Sequence, residues 1–393
     1  MPGKMQDKYS AVLREPGEIT AHCSSFGDVD PKILNYESSA GFWEVLEELG
    51  ITVLVSREYE HLLIALRVQH GKPAISYMVV PHPSGIVVDR IGHKVHVAST
   101  RNPNVLFELG LANGHLCRRD VSVSSNHKAT LVPIRTRFLA GALYLHDLAL
   151  VGGCLYGNSV GQNAIVKLEY DDKDPQIVWW PRCIETARGP VFSQNFLQLN
   201  SIAPGATLKD SFFSASCENM GRFRPGHDLF SVDKRGVIFS GLSREPVVRG
   251  LTRPHSARIY RKRLWVNNSG YGQVGYIDNG SFEEVYRFAG WTRGLTFSKD
   301  FLIVGTSTVI PRFRHYAPGL DSKKGHCGVH ILEAKTGRIR GFVTWPLGNQ
   351  IFAIDWMSSR DCHGLPYVFP SKDRESVREL FYSYTLGNPH RFS

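Results

Sequence analysis

Three histidines stand at the heads of short apolar runs in this sequence: His82 in PHPSGIVVD, His146 in LHDLALVGG and His255 in PHSARIY. Asn200 in LNSIA and Arg293 in TRGLTFS hold the same place in two further runs, and Ala353 in IFAIDW is the nearest match in a sixth. Were these segments equivalent, their leading side chains would converge. Three neutral imidazoles and an amide suit a borderline divalent cation such as Zn²⁺, Mn²⁺, Fe²⁺ or Ni²⁺, whereas Ca²⁺ wants more oxygens. On that reading His82, His146 and His255 are metal ligands. Arg293 grips an anion with its paired donors, and Asn200 and Arg253 help to bind substrate. His146 or His255, when free of metal, moves a proton. The competing reading is that each histidine only hydrogen-bonds to backbone at a strand start.

Other chemistry-bearing residues carry plainer expectations. Asp147 follows His146 and on a strand points to the opposite face, so it reads as a turn anchor or a support for a ligand. Asp355 could bring a carboxylate from the sixth run. The Asn267 to Gly272 stretch (NNSGYG) is what a turn requires, and GYGQVG at 270–275 lacks the helix a dinucleotide site needs. Cys183 and Cys217 would act as nucleophiles only beside a histidine. Trp179-Trp180-Pro181 reads as a plug before it reads as a sugar platform.

Something must hold residues two hundred positions apart on one axis. Residues 40–50 have helical spacing, with Phe42, Val45, Leu46 and Leu49 on one face and Gly50 as C-cap. Beyond them helical periodicity fades into short strands punctuated by Gly, Asn, Asp and Pro. A unit of leading polar residue, strand, turn and second strand recurs roughly every 50 residues, which is the signature of a repeat ring. The clearest copy runs from Pro254 through an Asn-Gly hairpin at 279–280. One such unit cannot bury both faces, and a closed ring of them can. The expected fold is therefore all-β: a six-bladed β-propeller over residues 51–393, preceded by an arm (residues 1–50) with a short helix. The strands at 51–79 should complete the last blade beside C-terminal segments. Residues 111–143 and 309–326 read as insertions over one face.

Composition narrows the partners. The 393 residues are 42% hydrophobic and 21% charged, with a net charge of +10, which favours an anionic ligand. The basic residues are scattered, in clusters such as Arg118-Arg119, Arg258 to Arg263 and Arg312 to Arg314, and no nucleic-acid-binding motif appears. Nucleic acid is disfavoured. No apolar run is long enough to span a bilayer. Seven dispersed cysteines without a CxxC pair read as thiols in a reducing compartment, so the expected location is the cytoplasm.

At its repeats the sequence resembles a conserved, poorly characterised family of bacterial propeller proteins. The matching pieces are His146-Asp147, Leu199-Asn200-Ser201, Pro254 to Arg258, Leu264 to Asp278, Gly280 to Val285, Gly290 to Phe297, Gly305 to Ser307 and Cys327-Gly328 to Gly337. They span about residues 140–357, and the chain departs from the family at Asn195 to Leu199 (NFLQL) and in its last segment. The resemblance implies a six-bladed propeller, distantly similar to gluconolactonase and strictosidine synthase-like folds. It carries no activity with it. Two function classes stand at this point. The favoured one is a metal-assisted lyase, isomerase or hydrolase acting on a small anionic or sugar-like metabolite in the central channel. The other is a non-catalytic propeller binding a ligand or a protein on its loop face.

Overall fold

The computed structural model describes residues 29–101, 104–112, 114–115, 129–169, 174–370 and 384–385. The first 28 residues of the expected arm and residues 113 and 116–128 of the expected 111–143 insertion, Arg118-Arg119 included, lie outside the described residues, as do the side chains of Arg312 and Phe313; the rest of that stretch supplies blade 1's outer strand, Thr130–Leu139, rather than an insertion.

Six antiparallel sheets radiate as blades, each beginning at the axis. Blade 1 runs Pro83–Asp89, Lys94–Ser99, Asn104–Ala112 and Thr130–Leu139. Blade 2 is Leu145–Val151, Cys154–Ser159, Ala164–Leu168 and Gln176–Trp179. Blade 3 is Leu199–Ala203, Phe212–Ala215, Gly236–Ser240 and Pro246–Leu251. Blade 4 is Pro254–Tyr260, Arg263–Asn268, Gln273–Asp278 and Ser281–Arg287. Blade 5 takes Trp291–Ser298, Phe301–Ser307, Cys327–Glu333 and Ile339–Trp345, with Glu37–Ser38 at its outer edge. Blade 6 joins the two ends of the chain. Its inner strand Ile351–Ser358 pairs with Ile51–Arg57, which is followed by Leu62–Gln69, Lys72–Val79 and the edge strand Tyr367–Phe369. Each inner strand abuts the next all the way round, and Ile351–Ser358 closes the circle against Pro83–Asp89.

Blades stack face to face, so strands deep in the ring are apolar on both sides, and Ile51–Arg57 is buried at every position. The core is divided into wedges between neighbouring blades, for example Leu145, Leu148 and Val166 against Ala98 and Leu106 between blades 2 and 1. The helix Ala40–Leu49 buries Phe42, Trp43, Val45 and Leu46 against blades 5 and 6 and ends at Gly50, whose φ of 64° is the left-handed C-cap conformation. Fully buried Arg57 donates to the Ile33 carbonyl at 2.7 Å and so ties the arm to the ring. Among the described residues no helix is long and apolar enough to cross a membrane.

Candidate functional site

A β-bulge sits near the start of every inner strand and decides which side chains reach the axis. In blade 2, Leu145 pairs with Ser159 and Leu148 with Gly157, leaving His146-Asp147 in the bulge. Asn200 occupies it in blade 3 and Arg293-Gly294 in blade 5, while His255 immediately precedes it in blade 4. The same pairing corrects two of the six positions aligned by sequence. In blade 1, Pro83 pairs with Ser99 and Ile86 with Val97, so the residues in the bulge are Ser84-Gly85, not His82. In blade 6, Ile351 pairs with Arg57 and Ile354 with Val55, which puts Phe352 rather than Ala353 in the place of His146. A bulge inserts one residue, and a one-residue slip exchanges the faces of a strand.

His82 belongs to a different tier. Its φ is 39°, and the residues before the inner strands of blades 2, 3 and 4, Tyr144, Gln198 and Arg253, have φ of 50°, 49° and 55°. Such left-handed backbone is uncommon outside glycine and collects at functional sites. His82 is thus the counterpart of Arg253. Its ring meets His61 edge to face at 4.2 Å, and its backbone N–H donates to His61 Nδ1 at 3.1 Å.

The axial tier is built around Phe352. Its ring centroid is 5.2 Å from that of His146 and 5.5 Å from that of His255, the two imidazoles are 6.1 Å apart, and the Arg293 guanidinium lies 4.5 Å from the same ring. That guanidinium also lies over the Trp291 ring, at 4.5 Å. Arg253 stacks on Tyr316 at 4.1 Å and donates to Gln198 Oε1. Tyr316 comes from the 309–326 insertion, which packs with Trp291 and Val232 over this end of the channel. Gly319 N–H reaches the Gly270 carbonyl at 3.1 Å, which seats that insertion on the blade 4 turn.

Burial governs the charges here. It holds the imidazoles of His146 and His255 well below the usual histidine range, and Arg293 and Arg253 push both further down; the Asn200 amide beside His146 opposes the shift and loses. Both are neutral at physiological pH. Burial also lowers Arg253 and Arg293 to about 10, so both stay charged. They are 3% and 4% exposed, and neither joins an ion pair among the described residues. Glu58, the carboxylate whose charge does most to offset the burial of Arg293, is occupied by the Thr100 hydroxyl at 2.8 Å and by Arg101 at 3.7 Å.

Several buried polar atoms are left without a hydrogen bond: His146 Nδ1, Asn200 Oδ1, His255 Nε2 and Arg293 Nε. The other sides of these groups are fixed. Asn200 Nδ2 donates to Ser216 Oγ at 3.1 Å and to the Pro254 carbonyl at 3.0 Å. His255 Nδ1 is 2.9 Å from Ser256 Oγ, which accepts from Gly294 N–H at 2.9 Å. Ser256 can donate to the imidazole or accept from it, so Nε2 can hold either a proton or a lone pair.

His146, His255 and Asn200 are the donors that could hold a cation. Among the described residues, however, no three His, Cys, Asp or Glu side chains are grouped to bind a metal ion. Two guanidiniums beside the imidazoles also oppose a cation and favour an anion. Asp147 and Asp355 serve the scaffold. Asp147 takes Arg258 at 2.7 and 3.1 Å and accepts from Ile202 N–H at 3.1 Å. Asp355 takes Arg90 at 2.5 Å and Val88 N–H at 2.9 Å. Arg258, Arg90 and Asp355 line an open cavity of about 460 Å³ with largely apolar walls, enclosed by the downstream ends of the inner strands. Burial pushes the Cys183 thiol up to about 12 and that of Cys217 to about 11, which removes both as nucleophiles at neutral pH. Trp179 is core and Trp180 carries Arg244 on its face.

Sequence reasoning missed Phe352, Trp291, Tyr316, Gln198 and Glu58. Tyr316 was findable as an aromatic in a face insertion; Glu58 carried no signal.

Comparison with known proteins places the chain. Residues 40–364 match the family described as a domain of unknown function (DUF4915), and the chain belongs to that family. No curated protein matches it in sequence. A chain of the nidogen/laminin complex is similar in fold, with a TM-score of 0.52 at 8% identity, covering 80% of this chain and 100% of that one. A protein of unknown function from Bacteroides caccae is similar at a TM-score of 0.50 and 8% identity, covering 78% of this chain and 98% of that chain. These likenesses are of fold.

Proposed function

For a member of this family, we propose that the axial end of the channel binds a small organic anion and that His146 and His255 transfer protons on it. The observation that carries this reading is the pair of buried, charged guanidiniums of Arg253 and Arg293 with no carboxylate in ion-pair contact among the described residues. Burying an uncompensated charge costs several kcal/mol, and a bound anion returns that cost as binding energy. The forked donors suit a carboxylate or phosphate.

The same charges explain how the imidazoles could be switched. Empty, the site depresses their basicity partly through Arg293 and Arg253. A bound anion offsets those two cations, so the imidazoles regain proton affinity only when ligand is present. A base that strengthens on substrate binding suits proton abstraction or general-base hydrolysis, in keeping with a lyase, isomerase or hydrolase. The test is calorimetric titration of the protein with carboxylate and phosphate compounds at low ionic strength. Saturable binding that R293M abolishes supports the reading, and binding that R293M leaves intact overturns it.

A further inference from the structure

We infer, resting on the anion site just described, that its ligand also carries hydroxyl groups: a small hydroxylated anion, with the negative group on Arg253 and Arg293 and a hydroxyl on His146 and Asn200. Donors and acceptors at the site do not balance without such a hydroxyl. Pro254 carbonyl oxygen can only accept, so the Asn200 atom 3.0 Å from it is the amide nitrogen, and that nitrogen's second hydrogen goes to Ser216 Oγ at 3.1 Å. Asn200 Oδ1 is therefore an oxygen by necessity, and in this residue, only 1% exposed, the group beside it is the His146 imidazole.

His146 stands beside it. A neutral imidazole has two nitrogens and one proton, and His146 Nδ1 also lacks a hydrogen bond. Asn200 Oδ1 and the two ring nitrogens make three sites that share one proton. Should the ring donate to Oδ1, the other nitrogen is left as an acceptor; should it not, Oδ1 is left as one. Either tautomer leaves at least one of these three sites as an acceptor without a donor. An ionised carboxylate or phosphate dianion has no proton to give it, and the guanidiniums already claim that end of the ligand. A donor elsewhere on the same molecule completes the set, and O–H fits a neutral acceptor next to a cationic clamp. Sites built to hydrogen-bond a hydroxyl reject analogues that lack it, because the buried partner is then stranded.

The experiment is a matched series titrated calorimetrically into the full chain: D-glycerate and glycerol 3-phosphate (charge and hydroxyl), propanoate (charge only) and glycerol (hydroxyl only). Gluconate, hexanoate and sorbitol repeat the comparison on six carbons. Hydroxylated anions should bind at least tenfold more tightly than the bare carboxylate, and the uncharged polyols should not bind measurably. H146F, which removes an imidazole that anchors no backbone, should bring the hydroxylated anions down to the bare carboxylate's level. Equal affinity for glycerate and propanoate, or an equal loss for both in H146F, overturns the hydroxyl inference while the anion site stands. Failure of every anion to bind removes the anion site itself.

Discussion

The guanidinium of Arg293 lies 4.5 Å from the centroid of Phe352, the same ring that both axial imidazoles touch. A cation over a benzene face gains about 0.5–2 kcal/mol, less than its desolvation costs. Phe352 shelves the charge without neutralising it. F352L should therefore lower stability by about 1–2 kcal/mol and weaken anion binding as Arg293 loses its fixed pose. Denaturant unfolding and titration of the variant check both, and an unchanged affinity would show that the shelf does not position Arg293.

Ser256 joins blade 4 to blade 5 and His255 to its tautomer. S256A strands the buried Gly294 N–H, at a cost of about 1–3 kcal/mol. Ser256 has a φ of 55°, so S256G, which also lacks the hydroxyl, should be more stable than S256A by roughly 1 kcal/mol. Equal stabilities measured by urea unfolding would count against the backbone strain assigned here.

Acid should destabilise the ring through its neutral histidines. His146 and His255 sit well below the ordinary value, and burial takes His330 down to about 3. Below the unfolded-chain value of about 6.5 the unfolded state takes up protons that the folded state refuses. Stability is full above about pH 6.5 and falls as pH drops, for His330 across the window down to about 3, by up to about 1.4 kcal/mol per pH unit per group. H330Q, away from the axial site, should flatten the decline between pH 6.5 and 5; an unchanged slope would deny that His330 is neutral in the fold.

The Asp147–Arg258 pair binds blade 2 to blade 4 and, through Ile202 N–H, to blade 3. D147L leaves a largely buried guanidinium without its carboxylate and should cost about 3 kcal/mol, while D147L combined with R258M should recover most of the loss. A double variant no better than the single one would show that the pair's geometry, rather than its charge, matters.

The ring was legible because its causes are local. Asn279-Gly280 makes the two-residue hairpin between Asp278 and Ser281 with φ of 49° and 80°, as an Asn-Gly pair between alternating strands foretells. Strands 51–57 and 351–358 showed their apolar character, and only each other's edges were left to pair. The axial set was half legible: His146, Asn200, His255 and Arg293 lead their strands in both sequence and structure. His82 lies two residues before the bulge of its strand and Ala353 one residue after Phe352, offsets that leave no mark in hydrophobic pattern. Proline at 83 and phenylalanine at 352 look like core, and only the pairing register shows that Phe352 faces the axis. That register also separates the anion reading from a divalent ion on His82, His146 and His255. Elemental analysis of untagged protein decides between them: a stoichiometric transition metal lost in H255A would favour the ion.

The most direct test is the unfolding free energy of R293M against the natural chain, each with and without saturating glycerol 3-phosphate. Burial lowers the Arg293 pKa to about 10 from 12.5, equivalent to roughly 3 kcal/mol of strain on the charged form. Without ligand, R293M should be more stable than the natural chain by about 1–3 kcal/mol, since an apolar side chain of similar length relieves that burden. With ligand, the natural chain should gain stability and R293M should gain none. A destabilised R293M that is still stabilised by the anion would contradict the account, because Arg293 would then be a structural residue and the anion would bind elsewhere.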